Sequence, residues 1–401
     1  MRLAACTAVA FLCFVLPIRA EEKPPTSANN TTEELARANA LIVRLGDINY
    51  RSREAASRDL VKMGASARQA LEVGLKSTDP EIASRCERLL PIALQFDMLN
   101  RITRFEKDKE GKEPVDLPFW ALYQKNVGSD AVCRENYARL MRFAGVDLID
   151  LEKNGEVLSE KYAERFLELN TRQQYAAVRA KIGGSTSPEV DEISILFLLG
   201  CDPRTANNPK LLNMWPNFMY QGTFGSAITA TNGPGLTLRK LFVSWSEQRT
   251  EPNIIAQCLQ MMQQHKIPEG FSFAMKVVAK KDLPVYIRGQ AIAVAGRNAK
   301  PIHQKNFLEI LKDETVITQF NIGNNVNTTV QMRDVALAML IHLDGLDVRK
   351  YEFPHLKMNP GIDIFQFHYL GFENDAKRTE VRKQWETAHA NILKARGVWP
   401  W

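Results

Sequence analysis

Two stretches of the C-terminal half, YIRGQAIAVAG (286–296) and QMRDVALAMLI (331–341), align in one frame. Arg288 falls on Arg333, Ala291 on Ala336, Ile292 on Leu337 and Ala293 on Ala338. A short polar residue stands ahead of each arginine at the same spacing: Asp282 before Arg288 and Asn327 before Arg333. The N-terminal region carries the same pair twice, Asp47 before Arg53 and Asp79 before Arg85. All four pairs sit where a helix is expected to begin. Ala56, Ala291 and Ala336 then follow their arginines at one spacing, a detail that Cys86 and Arg88 break in the second unit. A short side-chain acceptor closes an inter-helix turn by capping the helix that follows. The arginine lies about a turn and a half further on, within reach of a neighbouring turn, and small alanines let helices approach closely.

Outward from these stretches the pattern is helical almost throughout. Leu35, Ala38, Leu41, Ile42 and Leu45 form one stripe, ended by Gly46. Ala56, Leu60 and Met63 form the next, ended by Gly64, and Leu71 with Leu75 carries a third. Asp79-Pro80-Glu81 starts a helix with a capping carboxylate, Pro at the first helical position and acid in the first turn. Its apolar face runs from Ile82 to Leu94, with a kink expected at Pro91. The charge-mixed run EKDKEGKEP (106–114) reads as a solvated boundary between domains. Helices are expected over 131–143 and 159–182, then from Ser187-Pro188-Glu189 into ISILFLLG. Residues 201–235, rich in Pro and Gly, are the least helical part, and 222–235 (GTFGSAITATNGPG) reads as a loop. Helices resume over 236–248, 252–264, 269–280, 284–297, 302–312, 328–344 and 375–396. No segment shows sustained period-2 alternation with hairpin turns.

Units of helix pairs with such turns resemble the HEAT-repeat family, and especially the HEAT-like repeats of exported bacterial proteins. The resemblance covers residues 33–99 and about 252–344. It implies an α-solenoid in which Asp47, Asp79, Asp282 and Asn327 are turn residues, while Arg53, Arg85, Arg288 and Arg333 form an inter-repeat ladder. For function it implies protein–protein interaction rather than catalysis.

Composition agrees with a globular chain: 401 residues, 45% hydrophobic and 24% charged. A net charge of +6 is too dilute over this length to point to nucleic acid. The first twenty residues read as a signal peptide, with Arg2 as the n-region, LAACTAVAFLCFVLP as the h-region and a cleavage site after Ala20. The apolar run is too short for a comfortable span of about 20 residues. The spelling Leu3-Ala4-Ala5-Cys6 stands at the start of the h-region rather than after it, which is the wrong place for a lipobox. Residues 21–32 (EEKPPTSANNTT) form a polar linker, and Asn29, Asn30 and Asn327 lie in N-x-T sequons. Cys86, Cys133, Cys201 and Cys258 are far apart, without a CxxC pair, and are expected as free, buried thiols.

Chemistry-bearing patterns are few. His355, Asp363 and His368, in FPHLKMNPGIDIFQFHY, bring two histidines and a carboxylate into one short segment and are the metal candidates. Their spacing matches no ligand motif, and structural histidines in an aromatic-rich loop are the plainer expectation. Cys133 or Cys201 with a distant histidine has nothing local to support a nucleophile. The 222–235 stretch lacks GxGxxG, GxSxG and GK[ST]. No cofactor is indicated. The tail Val398–Trp401 is expected to pack back on the last helix or to meet a partner.

The chain is therefore expected to be all-α, with HEAT-like helical pairs flanking an irregular helical middle region. Its parts are a signal peptide (1–20), a linker (21–32), N-terminal HEAT-like helices (33–105), a middle region (115–250) and a C-terminal HEAT-like region (251–401). The function expected is that of a non-catalytic scaffold for another protein, exported to the periplasm or the cell exterior, with no membrane span after signal cleavage. An enzyme with its site at 222–235 or near His355 and His368 is the first alternative. A structural envelope component is the second.

Overall fold

The computed structural model describes residues 28–181, 188–205, 211, 213–322 and 326–395. The expected signal peptide with its cleavage site, the turn at 183–185 and the tail 398–401 lie outside them. The described chain is largely helical with almost no strand. It divides into two compact units, one up to Asp97 and one from Met98 onward. Among the described residues no helix is long and apolar enough to cross a membrane.

The first unit holds α1 (Ala28–Arg44), α2 (Tyr50–Met63), a short 3-10 turn (Gly64–Ala67), α3 (Arg68–Gly74) and the start of α4 (Pro80–Lys107). Its core takes up most of the expected stripes: Ala38, Leu41 and Leu45 meet Ala56, Leu60, Leu71, Cys86 and Leu89, while Ala70 replaces Leu75, which is exposed, beside Leu71. Two details differ from the sequence expectation. α1 begins inside the stretch read as a linker, because a nucleated helix propagates through polar residues at little cost. α2 is capped by Asn49, whose Oδ1 accepts from Arg51 N at 2.9 Å; Asp47 sits one step back and accepts from Asn49 N at 2.8 Å. Asp79 does accept from Glu81 N, at 2.9 Å, at the start of α4. Arg53 donates to the Asp47 carbonyl at 2.8 Å and pairs with Glu81 at 3.3 Å. Arg85 pairs with Glu81 at 2.6 Å and reaches back to Glu54 at 2.9 Å.

The second unit continues with α5 (Trp120–Asn126), α6 (Ala131–Lys153), α7 (Gly155–Lys181), α8 (Val190–Gly200), α9 (Trp215–Met219), α10 (Gly222–Thr229) and α11 (Gly233–Glu247). α6 and α7 are longer than their stripes suggested. The stretch read as a loop at 222–235 is instead α10 and the first turn of α11. Phe224 and Ile228, one turn apart, are both buried, and Phe224 lies 5.6 Å from Phe242 and 5.8 Å from Phe197. Burying that face outweighs the roughly 1 kcal/mol that each glycine costs a helix. Around it Phe166, Trp215 and Trp245 complete an aromatic core, with Trp215 and Trp245 at 4.4 Å.

α12 (Pro252–Gln264), α13 (Gly270–Ala279), α14 (Val285–Asn298) and α15 (Gln304–Ile310) follow. Next comes an antiparallel hairpin, β1 (Val316–Ile322) and β2 (Val326–Gln331), and then α16 (Met332–Leu343), α17 (Pro354–Met358) and α18 (Asp375–Ala395). The helix expected from 328 thus starts at Met332, and Thr328 and Asn327 belong to β2. Asn327 is exposed and caps nothing; Gln331 N donates instead to Asp334 at 2.8 Å. Two tertiary contacts, with the burial of one threonine, hold the hairpin in place. Thr329 bridges to Phe372, β1 packs on α14, and Thr328 is buried. Asp282 is exposed and α14 starts after Pro284 without a side-chain cap. α14 and α16 pack through Gly296, where a Cβ would overlap Met339 Sδ. Arg288 is buried, donating to the Val278 carbonyl at 3.0 Å and pairing with Asp313 at 3.3 Å. Arg333 pairs with the adjoining Glu314 at 2.6 Å and with Asp375 at 2.9 Å.

Cys86, Cys133, Cys201 and Cys258 are free and buried. Burial pushes the thiols of Cys201 and Cys258 up to about 12, so neither is a thiolate at neutral pH. A thiol reagent is expected to titrate all four in denaturant and to react slowly with the native chain. A denatured count of none on a chain starting at Glu21 would mean that they are paired.

Candidate functional site

The sequence candidates stay in one region but do not form a ligand set: the two histidines share an aromatic ring, and the carboxylate pairs with an arginine. Asp363 Oδ2 accepts from Arg297 Nη1 at 3.0 Å, and its Oδ1 accepts from Phe365 N at 3.1 Å. His355 stacks on Tyr369 at 4.3 Å and His368 lies 4.1 Å from the same ring. Burial holds both imidazoles below their usual range, and for His368 the neighbouring His355 adds to the effect. The two histidines are thus neutral members of an aromatic cluster at neutral pH, with the carboxylate committed elsewhere. Among the described residues no three ligating side chains are placed to hold a metal ion.

What converges instead is a cleft of about 570 Å³ in the second unit, between α12, α14 and the segment 363–368. That volume is in the range of small-ligand sites. α12 contributes Gln257, Gln260 and Gln264, three and four residues apart and therefore on one face. Gln263 stands beside them. α14 contributes Tyr286, Gln290 and Arg297. Two of the amides are fixed by the backbone: Gln263 Nε2 donates to the Phe365 carbonyl at 3.3 Å, and Gln290 Nε2 to the Ala256 carbonyl at 3.2 Å. Gln260 Oε1 accepts from Tyr220 Oη at 2.7 Å. The Arg297 guanidinium lies over the Phe365 ring at 4.7 Å, which orients it towards Asp363. Gln257 Oε1 and Arg297 Nε are buried and have no hydrogen-bond partner among the described residues. Buried polar atoms without partners are uncommon, and each costs about 1–3 kcal/mol.

Sequence reading passed over this cleft. The one local signal was the glutamine spacing in AQCLQMMQQ (256–264), which marks a polar helix face but not what it faces.

A second feature belongs to the first unit alone. A Cβ on Gly46 would lie 2.8 Å from Asp79 Oδ2, and one on Gly74 would lie 3.2 Å from Ile42 Cγ2. The α1–α2 and α3–α4 turns are therefore neighbours. Around the first turn Val43, Ile48 and Tyr50 are 72%, 99% and 62% exposed; beside the second, Val73 is 64% exposed.

No model of a known protein family matches this chain, and neither a search of curated proteins nor one of solved structures returned a match.

Proposed function

We propose that the chain is an exported, non-catalytic interaction scaffold of the HEAT-like α-solenoid type, and that its partner is another protein. The observation that carries this reading is the apolar end of the first unit. Val43, Ile48, Tyr50 and Val73 stand in water at two adjoining inter-helix turns, although the same helices bury a complete core of their own. Apolar side chains gathered on one exposed end favour docking to another macromolecule. The helix-pair reading is supported by the arginines, which reach neighbouring units: Arg85 to Glu54, Arg288 to Asp313 and Arg333 to Asp375.

The test is affinity capture from the native envelope fraction with the intact protein and with Ile48→Asp. A side chain this exposed contributes little to stability, so the variant is expected to melt within about 0.5 kcal/mol of the parent. Capture of a specific partner is expected to fall sharply. Equal capture by both proteins would remove the turn end from the interface.

A further inference from the structure

We propose that the glutamine-lined cleft of the second unit binds a neutral oligosaccharide. This goes beyond the scaffold reading and does not rest on it. Charge comes first. The cation and the anion of the cleft, Arg297 and Asp363, pair with each other, and its remaining polar side chains are amides, a phenol and an imidazole held neutral by burial. Such a lining gives no excess field for a charged ligand.

Hydrogen-bond polarity comes next. Gln263 and Gln290 are each held by an amide N–H on a backbone carbonyl, and Gln260 by its oxygen on Tyr220, so the lining presents fixed amide donors and acceptors together. Gln257 Oε1 adds a buried acceptor and Arg297 Nε a buried donor, neither with a partner. The ligand must therefore bring both donors and acceptors to these positions. A hydroxyl does so, because its O–H rotates to suit each site and its lone pairs remain for the arginine. An extended peptide does so less readily, because its N–H and C=O groups are fixed in direction along the backbone and cannot turn to suit each position.

The apolar surface completes the match. Tyr286 is half-exposed at the rim of the cleft and is held edge-to-face against Phe367 at 4.8 Å. A fixed aromatic ring beside a polar lining suits the mixed C–H and O–H faces of a sugar.

The experiment is isothermal calorimetry on the intact chain with cellohexaose, xylohexaose, mannohexaose and chitohexaose, alongside a capped tetraglycine peptide. At least one oligosaccharide is expected to bind and the peptide is not. Gln290→Leu, which removes a polar group from the lining, and Asp363→Asn, which removes the anion that positions Arg297, are each expected to weaken that binding about tenfold. Tyr286→Ala, which alters only a surface side chain, is expected to weaken it as well, and serves if either polar variant misfolds. Ile48→Asp is expected to bind as the parent does, so this site and the proposed protein interface fail independently. Binding by none of the four oligosaccharides overturns the proposal. So does binding unchanged in the folded cleft variants, or equal binding of the peptide.

Discussion

Leu340→Ala is expected to lower the unfolding free energy by about 2–5 kcal/mol, the range for removing a leucine side chain from a packed core. Leu340 lies on α16, where every residue from Asp334 to Ile341 is buried. A helix buried on all sides cannot relax outward to fill the space. Its neighbours are close: α14 packs against it through Gly296, and α15 and α18 also touch it. Urea unfolding is the measurement, and a lower midpoint with an unchanged slope is the expected form of the result. A loss under about 0.5 kcal/mol would mean that α16 is not the centre of this half.

Arg378→Met is expected to produce a loss of similar size, with a pH dependence that a cavity would not show. Arg378, on α18, donates to both carboxylate oxygens of Asp334 on α16, at 2.5 and 3.1 Å. Asp334 is fully buried. Burial pushes its carboxyl up to about 6, although Arg378 pulls the other way. Removing the guanidinium leaves a buried carboxylate held by the Gln331 N–H, at a cost of about 3–5 kcal/mol where it must stay ionised.

The sign follows from proton binding. The native carboxyl holds its proton more tightly than the unfolded one, so its contribution to stability falls as pH rises from about 4 through 6. Without Arg378 that window extends higher. The variant's deficit is therefore expected to be larger at pH 8 than at pH 5, where a protonated Asp334 is tolerated. Half-buried histidines such as His265 and His342, held low by desolvation, act in the opposite sense, with stability lost as pH falls below about 6.5. They are common to both proteins and cancel in the difference. Equal deficits at the two pH values would mean that the pair is not a buried ion pair.

Much of the helical framework was legible in the sequence. Leu35, Ala38, Leu41 and Leu45 announce a buried face by spacing alone, and Asp79-Pro80-Glu81 announces a helix start by the chemistry of its first turn. The hairpin at 316–331 was not legible. Thr328 and Thr329 are ambiguous between strand and helix start until Phe372 pairs with Thr329 and β1 meets α14. The same holds for 222–229, where two glycines read as a loop until Phe224 finds the aromatic core.

By itself the sequence determined the helical class and most of the core stripes, while of the four acceptors it offered only Asp79 accepts from the start of its helix. Each of these depends on residues within a turn or two of one another, where spacing and capping chemistry act directly. Tertiary structure alone decided the partners of Arg85, Arg288 and Arg333, the hairpin, the exposed turn end of the first unit and the cleft. The bond from Gln263 to the Phe365 carbonyl and the pair of Arg297 with Asp363 join segments far apart in the chain. Periodicity records which face of a helix is polar. It carries no information about which distant segment the packing will bring against that face.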